Sequence, residues 1–384
     1  MAGRRYLLMH IAASSGHERA SWALEQTITQ LEPSATVVRI DASAYTSRFV
    51  RWMISRTYHS LIKHQPDVWE YLYDNTDVYR SVQDLRTLLH RYHAKKLGQL
   101  LRAVRPDVIA CTQAYPCGMV ADFKKQHGLA IPLVGILTDH APHIYWFHDT
   151  VDAYVVPSEQ AQDTFLQRGV PRGKVKALGI PIDVRFIQRA TRAAASVALG
   201  LDPARPVLLL MGGGSGFGPL RDILTGLDRL PHPVQLVVVT GTNRTLHAWA
   251  AAQAFRHSVR VLGYTEDVPT LMDAATLLIS KPGGMTSAEA LAKQLPMVIV
   301  NPIPGQEAYN ARFLTTQGAA VQAESADTVR QTIRDLLDDP ARLDAMRHSA
   351  AVLAKPNAAL DIVRLLGSMV DQTHDPRLVE LSAR

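Results

Sequence analysis

Four clusters in this 384-residue chain have the residue types and spacing that do chemistry. The first is Ala13-Ser14-Ser15-Gly16-His17. It follows an apolar run and opens a helical pattern, where free backbone N–H groups and the helix dipole favour an anion or a reacting oxygen. An imidazole, with its ordinary pKa of about 6.5, can take a proton there. The plainer reading is that His17 caps the helix. The second cluster is Met211-Gly212-Gly213-Gly214-Ser215-Gly216-Phe217-Gly218-Pro219. Glycine permits positive φ and close approach of backbone to ligand, and Pro219 suits a first helical turn. This is a phosphate-binding turn or a purely structural one. No Gly-Lys-Ser/Thr follows, so it is not a Walker A loop.

The third cluster is Gly283-Gly284-Met285-Thr286 with Glu289 just inside the following helix. A carboxylate there suits two vicinal ribose hydroxyls, or simply complements the dipole from the first turn. The fourth is Pro304-Gly305-Gln306-Glu307, after the next strand. One helix, one turn and one strand separate Glu289 from Gln306, which returns the chain to the same sheet edge. A nucleotide-sugar needs this combination: backbone N–H groups for phosphates, a carboxylate for ribose, and short polar side chains for sugar hydroxyls.

The elements that must position these residues alternate short apolar runs with helical stretches. Strands are expected at Tyr6–Ala12, Thr36–Asp41, Asp107–Cys111, Pro132–Leu137 and Ala153–Val156, then at Val207–Met211, Gln235–Thr240, Arg260–Leu262, Thr276–Ser280 and Met297–Val300. Helices are expected at His17–Leu31, Glu159–Arg168, Leu220–Leu230, Thr286–Lys293 and Glu307–Gln317. The pattern is that of parallel α/β sheets. Two blocks, each with its own first turn, make two Rossmann-like domains. The pattern lapses between 182 and 205, which places domains at 1–183 and 184–355. Residues 356–384 form a last helix, Ala359–Val370, and a polar tail, expected to pack back on the first domain.

Composition narrows the class. Apolar residues make up 47% and charged ones 20%, which suits a globular core. No apolar run is long enough to span a bilayer, and the short run after Arg4-Arg5 reads as a first strand rather than a signal peptide. Cys111 and Cys117 give neither a disulfide framework nor zinc spacing, so a cytoplasmic protein without a metal is expected. There is no Asp-x-Asp at a strand end, and Asp338-Asp339 reads as part of a charged surface helix. The net charge of +6 suits an anionic partner. Its placement is uneven: residues 45–64 hold four Lys/Arg and residues 85–105 hold six, with no acid in either. No nucleic-acid module is present, so nucleic acid is not expected as a partner. Within an insertion at 45–105, Val50, Met53, Ile54, Tyr58, Leu61 and Ile62 share one helical face, while Arg51, Arg56, His59 and Lys63 fall elsewhere. Two readings stand: an amphipathic element on anionic lipid, or a core-facing helix with a solvated basic side.

These motifs together resemble the family-28 glycosyltransferases of the GT-B fold, nearest to monogalactosyldiacylglycerol synthases and processive diacylglycerol glucosyltransferases. The resemblance covers most of residues 5–370 and is carried by SSGHERAS, HQPDVWEYLYD, LTDHAPHIYWFH, VVPSEQAQDTFLQRGV, LGIPI, MGGGSGFGPL and the stretch from Ser280 to Asn310 with PGQEAYN. It implies two Rossmann-like domains with parallel sheets facing across a cleft that closes on a UDP-sugar. Uracil would lie by Tyr264 and Thr265, the diphosphate over Gly213, Gly214, Ser215, Gly284, Met285 and Thr286, and the ribose on Glu289. Gln306 and Glu307 would contact the sugar, with Asn310 close behind. His17 would be the general base of an inverting transfer of glucose or galactose to diacylglycerol. Asp139 would orient His17, act as base itself, or merely cap a turn. The acceptor would enter near Gly16, His143 and Trp146, with Arg48, Arg51, Trp52, Arg56 and Lys63 holding the enzyme peripherally on the inner, anionic membrane face. Neither a cofactor nor a metal is called for. The turn before His17 is less glycine-rich than is usual in the family, and no residue separates glucose from galactose. The alternatives are a GT-B transferase acting on another lipid or a polyprenyl acceptor, a UDP-sugar epimerase on the same fold, and a non-catalytic nucleotide-sugar sensor.

Overall fold

The computed structural model describes residues 3–11, 15–45 and 95–373. The chain forms two compact units, Met1–Val184 together with Asn357–Arg384, and Arg185–Pro356. Most of the basic insertion, including Arg48, Arg51, Trp52, Arg56 and Lys63, lies outside the described residues.

The first unit holds six parallel strands: β1 (Arg5–His10), β2 (Thr36–Asp41), β3 (Val108–Cys111), β4 (Leu133–Ile136), β5 (Ala153–Val155) and β6 (Val175–Lys176). Their order is β2-β1-β3-β4-β5-β6. The second unit holds β7 (Val207–Met211), β8 (Gln235–Val239), β9 (Ser258–Leu262), β10 (Leu277–Ser280), β11 (Met297–Val300) and β12 (Ala320–Ala323), in the order β12-β11-β10-β7-β8-β9. Most central strands are buried along their whole length, as in VLLLM of β7. Helices cover both faces of such a sheet, so its strands read as continuous apolar runs rather than alternating ones. The ten expected strands are all present, with ends shifted by a residue or two. β6 and β12 were not foreseen. One is two residues long and the other is the alanine-rich AVQA, and both are edge strands that need little apolar sequence.

The last helix, Ala358–Thr373, packs on the first sheet. Its Ile362, Val363, Leu366 and Val370 share a core with Tyr6, Leu8, Leu24 and Ile28. At the rim, Arg4 donates to Glu32 Oε1 at 2.7 Å and to Asp371 Oδ1 at 2.6 Å. The Tyr6 hydroxyl also donates to Glu32, at 2.9 Å. In the second unit a buried ion pair joins Lys293 to Asp273 at 2.8 Å, with side chains only 1% and 8% exposed. Lys293 also donates to the Gln188 carbonyl, and Asp273 accepts from the Ala190 N–H. The pair thereby fastens the stretch that opens this unit. Asp338 ends the helix Ala326–Asp338, and Asp339 caps the next one through the Arg342 N–H, so the acidic pair sits at a helix junction rather than inside one helix.

Candidate active site

In a doubly wound sheet, ligands bind beyond the carboxyl ends of the strands, where strand order reverses. Here the reversals fall between β1 and β3 in the first unit and between β7 and β10 in the second. Each carries residues that the sequence singled out.

At the first reversal His17 is the third residue of the helix Ser15–Leu31, one position after Gly16. Its carbonyl accepts from Thr112 Oγ1, just past β3, at 2.9 Å. Its ring Nδ1 lies 2.8 Å from Thr138 Oγ1, just past β4. The same hydroxyl is 3.5 Å from Asp139 Oδ2. A hydroxyl has one proton to give. With the carboxylate taking it, Oγ1 accepts from Nδ1–H and the lone pair is left on Nε2. Burial holds the His17 pKa below the usual value, and the negative charge of Asp139 opposes that shift. The ring is therefore neutral at neutral pH and can accept a proton. His143 is pushed down to about 3, mainly by burial and further by His17 and Arg168. Burial alone takes His140 down to about 3. Trp146 corrects an expectation. It is 4% exposed and belongs to the core beneath β4, its ring against Gly135, so it supports the wall and offers no surface to lipid.

At the second reversal the glycine turn follows β7. Gly213 and Gly216 adopt φ of +69° and +60°. A Cβ on Gly216 would stand 2.1 Å from the Thr240 carbonyl oxygen, so only glycine fits. The turn rests on the one after β8, where Thr242 N–H donates to the Gly214 carbonyl at 2.9 Å. Ser215 at its tip is exposed. Past β10, the helix Gly284–Ala292 starts at Gly283, which has no side chain to cap it. Gly284, Met285 and Thr286 are its first residues, and their N–H groups have no partner within the helix. Glu289 is the sixth residue, so it stands in the second turn and the first-turn dipole role does not apply. Tyr264 and Thr265 follow β9, with Tyr264 57% exposed.

The loop after β11 departs from expectation. Gln306 opens the helix Gln306–Thr316 and is half-buried. Glu307 is already engaged: Oε1 accepts from Lys281 Nζ at 2.6 Å and Oε2 from the Ile303 N–H at 3.0 Å. Asn310, expected close to the sugar, is fully buried and donates to the Pro282 carbonyl at 3.0 Å, tying this helix to the loop after β10. Lys281 was missed by sequence reasoning. Its signal was position: a cation as the first residue past a buried strand at the reversal point. Its Cε lies 3.3 Å from where a Cβ on Gly213 would be. Among the described residues no group of three or more His, Cys, Asp or Glu could hold a metal ion, and no helix is long and apolar enough to cross a membrane.

Residues 17–182 match the family model for monogalactosyldiacylglycerol (MGDG) synthase, and residues 207–362 match that for the glycosyltransferase family 28 C-terminal domain. A processive diacylglycerol β-glucosyltransferase of Bacillus cereus strain B4264 is 26% identical over 382 residues, covering 99% of this chain and 97% of its own. The protein of the same name from Bacillus cytotoxicus is 30% identical over 275 residues, covering 71% of this chain and 70% of its own. Among solved structures, MurG of Acinetobacter baumannii superposes with a TM-score of 0.63 at 17% identity, over 95% of this chain and 99% of that one. Two parallel six-stranded sheets with their helices make the fold GT-B, and the chain belongs to the glycosyltransferase family of the processive diacylglycerol β-glucosyltransferases.

Proposed function

We propose that this protein transfers glucose from UDP-glucose to the free hydroxyl of diacylglycerol, with inversion at the anomeric carbon, at an anionic membrane surface. The observation that carries the reading is the match, along nearly the whole chain, to diacylglycerol β-glucosyltransferases. A β-linked product from an α-linked donor requires a single in-line displacement. That scheme needs one base and no protein nucleophile. His17 fills the role: neutral, held through Nδ1, with Nε2 left to take the acceptor's proton. The acceptor oxygen bonds to C1 of the sugar as the bond from C1 to the diphosphate oxygen breaks. Charge developing on the departing UDP is met by the N–H groups at Gly284, Met285 and Thr286 and by Lys281. Preorganised donors of this kind are worth about 10²–10³ in rate each. Glu289 takes the ribose hydroxyls and Tyr264-Thr265 the uracil edge. As written, the scheme calls for no metal. The basic stretch at 45–64 supplies the attraction to anionic lipid.

The test is to incubate the protein with vesicles of diacylglycerol and anionic phospholipid, with labelled UDP-glucose or UDP-galactose in parallel. Label from UDP-glucose should enter the lipid phase. Label from neither donor would refute the reading, and label from UDP-galactose alone would refute the sugar. His17→Ala should lower transfer by about 10²–10⁴ while UDP still binds; a near-normal rate would move the base to Asp139.

A further inference from the structure

We propose that Lys281 and Glu307 form an exchangeable pair, in which the donor's diphosphate draws the Lys281 ammonium away and thereby frees the Glu307 carboxylate for the sugar. This rests on the reading of the second reversal point as the donor site. Both carboxylate oxygens of Glu307 are in use, one by Lys281 and one by the Ile303 N–H. The two bonds differ in kind. The Ile303 bond comes from backbone and holds the carboxylate in place. The Lys281 bond comes from the end of a four-carbon stem that can swing. That stem already lies over the glycine turn, its Cε 3.3 Å from the position of a Gly213 Cβ. One ammonium is therefore within reach of two anionic positions, the carboxylate and the phosphate seat.

A diphosphate carries more charge than a carboxylate and offers more acceptor oxygens, so it wins the ammonium when it arrives. Glu307 remains where Ile303 holds it, now with Oε1 free to accept from a sugar hydroxyl. With Lys281 attached, that oxygen is a poor acceptor. Sugar recognition becomes conditional on the diphosphate. The site then ignores free glucose without a steric device, because the group that would read its hydroxyls is masked until a nucleoside diphosphate unmasks it. The side chains, 24% and 11% exposed for Lys281 and Glu307, are sheltered enough for the exchange to matter and open enough for a ligand to reach.

The experiment is calorimetric titration of the full chain, Lys281→Met and Glu307→Gln with uridine, UDP and UDP-glucose. Lys281→Met should weaken UDP by about tenfold or more and leave uridine unchanged. Glu307→Gln should tighten UDP by roughly three- to tenfold, because Lys281 is no longer neutralised and a negative charge beside the phosphate seat is gone. The same variant should bind UDP-glucose less well, relative to UDP, than the unmodified protein does. If Glu307→Gln leaves UDP affinity unchanged or weakens it, the exchange is wrong and Glu307 is only a clamp for Lys281. If Lys281→Met binds UDP normally, Lys281 is not at the phosphate. If the unmodified protein fails to bind UDP, the donor-site reading itself falls. Lys281→Gln is the second variant should the methionine form fail to fold, with uridine binding as the check on an intact site.

Discussion

Replacing Thr138 with valine removes one hydroxyl and little volume, and so isolates what holds His17. The hydroxyl sits 2.8 Å from Nδ1 of a half-buried ring. Without it, Nδ1 loses its partner in a partly sheltered place. Leaving a buried polar group unsatisfied costs about 1–3 kcal/mol. The ring recovers part of this by turning or changing tautomer, which takes the lone pair off Nε2. Either way the barrier to proton transfer rises by a similar amount, or roughly 5- to 150-fold in kcat/KM. The pH dependence carries a second signature. With the hydroxyl proton directed to Asp139, Oγ1 accepts from Nδ1–H and favours the charged ring, so losing it lowers the His17 pKa further. The rate rises as pH passes upward through that pKa, so the acid limb of the valine variant should move to lower pH. Initial rates with diacylglycerol vesicles between pH 5 and 9 measure both. KM for UDP-glucose should not change, and Thr138→Ser should keep most of the activity. A valine variant with the parent rate and an unmoved acid limb would refute the role of Thr138 and the assignment of the base nitrogen with it.

Acid should destabilise the fold through His140 and His143, whose folded values of about 3 lie below the unfolded value of about 6.5. Their contribution is complete above pH 6.5 and drains away as pH falls toward 3, with roughly 1.4 kcal/mol lost per histidine by pH 5.5; equal urea midpoints at pH 7.5 and 5.5 would contradict this. Lys293→Met strands the buried Asp273 carboxylate and should cost about 3–5 kcal/mol of unfolding free energy, largely restored by adding Asp273→Leu; a cost below about 1 kcal/mol would contradict the burial of that pair. Gly216→Ala puts a methyl 2.1 Å from the Thr240 carbonyl oxygen at a φ of +60°, so it should displace the glycine turn, lower the melting temperature and weaken UDP binding. A variant unchanged in both would show that the turn has room the structure does not.

Strands such as VLLLM and QLVVV were legible because parallel strands buried on both faces are written as apolar runs, and their order in the chain restricts the topology to a few choices. The glycine turns were legible because positive φ restricts the residue type. Pairings were not. Nothing in SKPGG or PGQE says that Lys281 and Glu307 meet across 26 positions, because that contact depends on β10 and β11 being neighbours and on how far each loop runs past its strand. The bond from Asn310 to the Pro282 carbonyl was hidden for the same reason, since it depends on how two loops meet. Thr138 was seen only as part of a motif, since its meaning comes from a histidine 121 positions away.

The last helix has a consequence for how this protein is made. Because Ala358–Thr373 supplies Ile362, Val363, Leu366 and Val370 to the core of the first sheet, the unit that begins the chain is completed by its end. The second unit is contiguous, from Arg185 to Pro356, and is whole once that stretch has left the ribosome. The first must wait, with the apolar face around Leu8, Leu24 and Ile28 uncovered, through the synthesis of everything between. At about 5–20 residues per second that wait lasts on the order of ten seconds or more. A nascent chain stalled before residue 358 would present that face to chaperones or to other chains. The order of birth is thus the reverse of the order of completion: the unit that carries His17 is translated first and finished last.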